Sequence, residues 1–487
     1  MSQPTDNNLY RVITKAAAIF GGVQVVSILC SVVRTKIIAV LLGSVGIGII
    51  GLYNSAIETI TALTGLGIRS SSVREISEAH NKDDKSDISR IVTVVRRWSW
   101  FVGLLGAVVL ITLSPLLSQY TFGDNEHIWG FVWLSCTLLF NALASGEQAI
   151  LQGTKQLKRL ARCSVYGSIA ALLVSLPLYY FMGIDGIVPS LILYAAATLI
   201  VTLVYKDREI EKSDITLQQT AQQGRDMVTL GVFMTVSSFI TTLFSYIFAA
   251  YLNTRSGEAT VGYYQAGFTL MNKYVGLIFT AMAMEYYPRL SGVAKDNASL
   301  SQYVGKQVEM MQLMLAPIIA IFIVLHPLMV QILYTTDFHV INSYLLLAIQ
   351  GISFKAISWS IGFVLLAKGS GKLYFITELI SDTITLALNI VGYRYWGLAG
   401  VGASYTVGFI LYLIIIYAVC RHSYNIEPGR KAWIATGLTT LVAVATLVCY
   451  IYLRPVAWII TIATTVVCAL LLYRKWQGKE KREEIGE

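Results

Sequence analysis

Ten ionisable side chains interrupt stretches that are otherwise apolar: Arg34, Lys36, Lys273 and Lys355, with Glu58, Glu147, Glu285, Glu309, Glu378 and Asp382. A charge held at the centre of a bilayer costs about 2.5–3.5 kcal/mol on insertion scales unless it faces protein or water. Cations so placed suit the holding of an anion such as a phosphate, and carboxylates suit the carriage of a proton or sodium ion. Lys273 and Lys355 fall near the middle of their segments, where snorkelling to either headgroup layer is hardest, and are expected to face an aqueous cavity. Arg34 and Lys36 stand about 200° apart around a helix, so the deeper Arg34 is assigned to the cavity and Lys36 is expected to snorkel outward. Glu378 and Asp382, at i and i+4, share a helix face and could pair with Lys355 or bind a coupling ion. Glu58, near mid-membrane, is the best single candidate for a proton carrier. Glu147, Glu285 and Glu309 lie near inner segment ends and read at least as well as hydrated interfacial carboxylates. For each of these residues the competing expectation is an interhelical ion pair that only holds the fold together.

The segments that must position these charges dominate the chain. Of 487 residues, 55% are hydrophobic and 13% charged, against roughly 25% charged in soluble domains. Apolar runs recur from residue 12 to residue 473, which predicts an all-α polytopic membrane protein. Fourteen transmembrane helices are expected, near 16–42, 45–67, 98–118, 128–150, 163–182, 184–205, 227–252, 260–288, 308–334, 340–367, 373–393, 397–420, 432–453 and 455–473. Threaded alternately, they place 30 of the 37 Lys and Arg residues on one side; only Arg255, Arg394 and Arg454 fall on the other. By the positive-inside rule both termini are expected in the cytoplasm, and the net charge of +9 is this orienting bias rather than a nucleic-acid-binding surface. MSQPTDNNLY at the start has no basic region or cleavage site of a signal peptide, so the first helix is expected to be retained.

The polar break from Arg69 to Arg97 reads as a helical hairpin or interfacial helix whose seven cations serve orientation and anionic-lipid contact. The stretch 206–226 reads as a linker between halves. GLYNSA from Gly51 resembles GYYQAG from Gly262, and GIDGIVPS from Gly183 resembles GLAGVGAS from Gly397, offsets of 211 and 214 residues. Six helices separate the copies, so the halves enter the membrane in the same sense, as parallel repeats do. The expected organisation is an N-terminal half at 1–205, the linker, a C-terminal half at 227–420, and a helix pair with a basic tail at 421–487. A central cavity between the six-helix halves is the expected substrate path.

Motifs for enzymatic chemistry fail on context. GIGIIG from Gly46 matches GxGxxG but opens no βαβ unit, and the glycines fit a tight turn and close helix packing better. GSGK from Gly369 fails the phosphate-loop pattern because Leu366 and Leu373 occupy required positions. There is no HExxH or GxSxG, and Cys30, Cys136, Cys163, Cys420, Cys449 and Cys468 have no metal-ligand or CxxC spacing. No catalytic residue, metal or cofactor is expected; the chain reads as a transporter and not an enzyme.

Three stretches carry a family resemblance: LLGSVGIGIIGLYNSAIETITALTGLGI from Leu41, VGYYQAGFTLMNKYVGLIFTAMAMEYYPRLSGVAKDN from Val261, and GFVLLAKGSGKLYFITELISDTITLALN from Gly362. With the fourteen-helix plan they resemble the Wzx-type O-antigen and enterobacterial common antigen translocases, within the multidrug/oligosaccharidyl-lipid/polysaccharide exporter superfamily. The resemblance implies a flippase of the bacterial inner membrane. Its cargo would be an undecaprenyl-diphosphate-linked oligosaccharide, an O-antigen or similar repeat unit, turned by alternating access from the cytoplasmic to the periplasmic leaflet. The cycle would be ion-coupled through Glu58, Glu378 and Asp382. Arg34, Lys273 and Lys355 would meet diphosphate or acidic sugars, and Gln265, Asn272 and Gln350 would hydrogen-bond glycan. Partners would be membrane lipids and the polysaccharide polymerase and chain-length machinery. The alternatives are a cation-coupled multidrug efflux antiporter, against which four intramembrane cations argue, a lipid II flippase, and a structural membrane protein or lipid-bound enzyme with paired ions and a solid core.

Overall fold

The computed structural model describes residues 6–81, 85–208, 210 and 213–484. Lys82, Asp83 and Asp84 of the polar break 69–97 and Glu209, Glu211 and Lys212 of the expected linker lie outside them. The helices run in order as α1 (Asp6–Thr64), α2 (Ile68–Asn81), α3 (Lys85–Thr121), α4 (Ile128–Gly153), α5 (Leu157–Met182), α6 (Ile187–Tyr205), α7 (Leu217–Ser256), α8 (Glu258–Thr269), α9 (Leu277–Gly292), α10 (Asn297–Leu333), α11 (Asn342–Ala348), α12 (Ile352–Ala367), α13 (Gly371–Tyr424), α14 (Arg430–Tyr452) and α15 (Arg454–Glu484). Short 3-10 or π turns join several of them, and no strand occurs among the described residues.

Ten helical stretches in this set are long and apolar enough to cross a membrane. Three are too long for one crossing: Val26–Thr64 has 39 residues, Leu157–Tyr205 has 49 and Gly371–Tyr424 has 54. At 1.5 Å per residue the shortest would be ~58 Å, about twice a ~30 Å hydrocarbon core. Each breaks at one glycine, Gly43 (φ 64°), Gly183 (φ 58°) or Gly397 (φ 59°), conformations that a Cβ disfavours. Beyond two of these glycines the chain folds back on itself: Ser190 Oγ donates to the Ser175 carbonyl at 3.4 Å, and Ser404 Oγ to the Leu388 carbonyl at 2.7 Å. The split stretches, with the charged α8–α9 run as a further crossing, reproduce the fourteen expected segments. The protein is an all-α polytopic membrane protein.

The chain forms two compact units, residues 1–262 with 333–335, and residues 263–332 with 336–487. The first has an apolar core from α1, α3, α4, α5, α6 and α7 around Tyr53, Phe131, Leu134 and Tyr246. A second cluster in it joins α2 to α3 through Ile76, Val92 and Val95, with Ile150 of α4. The other unit is built on Tyr286, Leu300, Ile361, Ile416 and Ile426.

Within the first unit, Ile215 and Thr220 of the expected linker are tied to α3. Arg97 donates to the Ile215 carbonyl at 2.9 Å and to Thr220 Oγ1 at 2.8 Å, and Trp98 Nε1 to the Thr220 carbonyl at 2.9 Å. A Cβ on Gly224 would collide with the Trp98 ring.

The 214-residue repeat is visible in the backbone itself. α4 starts at 128 and α11 at 342; α4 ends at 153 and α12 at 367; α5 starts at 157 and α13 at 371. Gly48 on α1 and Gly262 on α8 pack reciprocally, a Cβ on Gly48 overlapping the Glu258 carbonyl and one on Gly262 the Ser44 carbonyl. That swap pairs 44 with 258 and 48 with 262, an offset of 214. The GLYNSA resemblance, at 211, is therefore out of register by about one helical turn.

Candidate functional site

Lys355 lies four residues into α12 and is half-buried. Its ammonium donates to Asn272 Oδ1 at 3.2 Å and to the Tyr405 hydroxyl at 3.2 Å. Three rings close around it, with centroids 5.2 Å away for Phe409, 5.3 Å for Phe279 and 5.7 Å for Tyr405. No carboxylate pairs with it among the described residues. Hydrogen bonds from a charged donor contribute about 1.5–3 kcal/mol each, and an exposed cation–π contact about 0.5–1 kcal/mol. Together these offset the cost of holding the charge in a membrane without neutralising it, so its electrostatic attraction for an anion survives.

Asn272 reaches Lys355 from a π-helical turn, Leu270–Val275, between α8 and α9. A π turn re-aims side chains by about one residue's rotation and is frequent at functional sites. The Asn272 amide also donates to the Phe268 carbonyl at 3.3 Å, which fixes its oxygen toward Lys355. Lys273, on the same turn, is exposed and hydrogen-bonds no described residue. Gln350 is buried two residues before α12; its amide nitrogen reaches the Leu346 carbonyl at 3.4 Å and its oxygen has no protein partner. Gln265 on α8 is half-buried.

Arg34 belongs to the first unit. Its guanidinium lies 4.3 Å from the Tyr194 ring centroid and donates to the Tyr179 hydroxyl at 3.4 Å, while its buried Nε has no protein partner. Like Lys355, it is a cation satisfied by aromatics rather than by acid. Lys36 does not simply snorkel to the headgroups: half-buried, it donates to the Tyr334 carbonyl at 2.5 Å.

The carboxylates divide. Glu147 is buried in a two-point ion pair with Arg96, 2.7 Å and 3.1 Å, and Arg96 also donates to the Asp207 carbonyl. Of the two expectations for Glu147, a hydrated interfacial carboxylate and an interhelical ion pair, the second describes its setting, because α4 packs it against Arg96 of α3. Glu285 pairs with Arg289 one turn on, both exposed. Glu378 accepts from the Tyr412 hydroxyl at 2.6 Å and, with Asp382, is not brought to Lys355. Glu58 is exposed on α1. Among the described residues no cluster of three metal-ligating side chains forms.

Tyr405, Phe409, Phe279, Tyr179 and Tyr194 carry much of this geometry and have no charge to mark them in sequence. The only available signal was their position on segments neighbouring the buried cations.

These features define a class before they define a family. The fold is shared with solved structures of membrane transporters. A solved structure of the lipid II flippase MurJ in an inward closed conformation superposes with a TM-score of 0.68 at 13% identity, covering 94% of this chain and 99% of that one. An inward-facing multidrug resistance MATE family transporter of the MOP superfamily gives 0.66 at 16% identity, covering 82% and 94%. Residues 20–343 match the family described as polysaccharide biosynthesis protein, and the chain belongs to that family. The lipid III flippase of Escherichia coli strain K12 is 20% identical over 399 residues, covering 79% of this chain and 92% of that protein.

Proposed function

We propose that this protein is a flippase for a lipid-linked oligosaccharide in a bacterial inner membrane. The observation that carries the reading is the caged, acid-free Lys355. A diphosphate bridging a polyprenyl tail to a glycan is an anion that must pass a low-dielectric layer, and an unneutralised cation there stabilises it. Arg34 and Lys273 are further contacts for diphosphate or acidic sugar, and Asn272, Gln265 and Gln350 are hydrogen-bonding positions for glycan. The finer reading is an undecaprenyl-diphosphate-linked O-antigen or similar surface repeat unit, moved by alternating access with both termini in the cytoplasm and passed to polymerase and chain-length machinery. Coupling to a proton or sodium ion falls to Glu58, Glu378 and Asp382. The lipid III flippase likeness and the family membership support the class of cargo. A cationic drug is disfavoured as cargo because two acid-free cations would repel it.

The test is deletion of the gene, followed by measurement of the lipid-linked oligosaccharide retained in the cytoplasmic leaflet, with drug susceptibility in parallel. Accumulation of such a lipid with unchanged drug susceptibility is expected. Drug hypersensitivity with no accumulated lipid-linked sugar would sink the reading.

A further inference from the structure

A cavity of ≈ 660 Å³ opens within the first unit, between the second half of α1, the start of α2, α3, α4, α6 and α7. Its lining is chemically narrow. Two carboxamides, Asn141 and Gln148, share it with hydroxyls that include Thr61, Ser145, Thr235 and Ser238, while glycines and alanines form much of the wall. Among the described residues of the lining, Arg69, at one end of α2, is the single charged one, and none is aromatic or a carboxylate.

Several of the hydroxyls and the central carboxamide are unclaimed by any described residue. Serine and threonine in a membrane helix ordinarily donate to the carbonyl one turn back, as Thr64, Ser99 and Thr198 do here. Thr61, Ser145, Thr235 and Ser238 make no side-chain hydrogen bond to a described residue, and neither does Asn141. Asn141 stands in the middle of α4 and is exposed to the cavity. Polar groups at that depth without partners are costly unless water or a ligand meets them. The wall is largely aliphatic, with no ring among the described residues, and it carries spaced neutral donors and acceptors at a volume suited to a small ligand.

The repeat adds an independent observation. At the 214-residue offset fixed by the helix ends and by the Gly48–Gly262 contact, Asn141 occupies the place of Lys355 and Glu58 that of Asn272. Where the second unit carries a caged cation, the first carries an uncharged carboxamide opening on space.

We propose that this cavity is a subsite for a neutral, polyhydroxylated sugar unit of the cargo, with Asn141 as its central hydrogen-bonding group. The proposal rests on the flippase reading above. The full chain is reconstituted in liposomes and given two probes: the lipid-linked oligosaccharide extracted from deletion cells, and the same carrier trimmed to its first sugar. Asn141→Leu and, separately, Ser145→Leu are compared with the native chain, with Asn141→Gln as the conservative variant. Each leucine variant is expected to move the full oligosaccharide about tenfold more slowly and the trimmed carrier at the native rate, with substantial recovery in Asn141→Gln. If the native chain moves both probes and the leucine variants slow both equally or neither, the sugar subsite is overturned and the flippase reading stands. If the native chain moves neither probe, the flippase reading falls, and the subsite with it. Should Asn141→Leu fail to fold, judged by its unfolding midpoint, Ser145→Leu carries the same decision.

Discussion

Lys355 and Asn141 hold equivalent places in the two copies of one repeat, yet one is wrapped in rings and the other opens on a cavity lined by hydroxyls. The backbone of the repeat is kept to the residue at the ends of α4 and α11–α12. The side chains have diverged completely: a cation held by Asn272, Tyr405, Phe279 and Phe409 against a carboxamide among alanines, glycines and unpaired hydroxyls. Duplicated helices give two cradles of one shape, and each cradle is then free to serve a different part of a composite cargo. A lipid-linked oligosaccharide is such a cargo, charged at its diphosphate and largely neutral along its sugars.

The comparison breaks most sharply at Lys355. Lys355→Ala is expected to abolish complementation of the deletion strain, a fall of roughly 30-fold or more, as loss of a paired charge contact costs about 2–5 kcal/mol. Membrane abundance, measured by immunoblot, should not change, because no carboxylate is left unpaired. The exchange variant carrying Asn141→Lys and Lys355→Asn together should remain inactive, since the aromatic cage exists in the second unit only. Recovery of activity by the exchange would mean that the two cradles are interchangeable.

Glu147 supplies the opposite case, an acid whose partner is fully engaged. Removing one member of a buried ion pair costs about 3–5 kcal/mol because the other is left uncompensated. Glu147→Ala should therefore lower the unfolding midpoint and the abundance of the protein. Replacing Arg96 as well, by methionine, should return part of the loss. If Glu147→Ala keeps full abundance and stops transport, Glu147 belongs with the functional charges after all.

Tyr405→Phe sharpens the reading of the cage with a smaller effect. It removes one hydrogen bond to the ammonium and keeps the ring, so a loss of about 1.5–3 kcal/mol, roughly 10–100-fold, is expected in transport of the charged carrier. Tyr405→Leu, which removes the ring too, should cost more. Equal effects of the two would mean that the ring contributes nothing.

What the sequence showed and what it hid follow from the range over which each signal acts. Hydropathy and the sidedness of Lys and Arg are summed over twenty or more residues, and they located all fourteen crossings. The glycine hairpins were visible because a positive φ leaves few choices of residue, though the Gly51–Gly262 alignment slipped by a turn in a run where glycine recurs every few positions. Depth picked out Lys273, Lys355 and Arg34 as intramembrane cations, the first exposed and the other two half-buried in the structure, but not what surrounds them. Phe279, Phe409, Tyr405, Tyr179 and Tyr194 resemble any other aromatic in an apolar helix. The Arg96–Glu147 pair spans 51 residues and joins α3 to α4, a contact no local pattern predicts. Asn141 and the hydroxyls around it carry no charge, so nothing marked them as more than helix packing until the cavity and the repeat register placed them opposite Lys355.

The smallest expected effect lies outside the membrane and tests whether charge in this chain matters beyond its crossings. Asp296 caps α10, its carboxylate accepting from the Ala298 and Ser299 amides at 3.0 and 3.2 Å and from the Ser299 hydroxyl at 2.5 Å. The Ser299 hydroxyl first, then the two amides, hold its pKa below the ordinary carboxylate range. A lowered folded-state pKa means that the cap's contribution is complete above the unfolded value of about 3.9 and fades as pH falls through the folded value. Because the carboxylate is fully exposed, the change should be slight. Asp296→Ala should lower the unfolding midpoint a little at neutral pH, and the difference from the native chain should shrink as the pH drops below about 4. Asp296→Asn, which still accepts from the amides, should lie between the two. A difference from the native chain that stays constant down to strongly acid pH would show that the backbone turn, and not the ionised carboxylate, holds the end of α10.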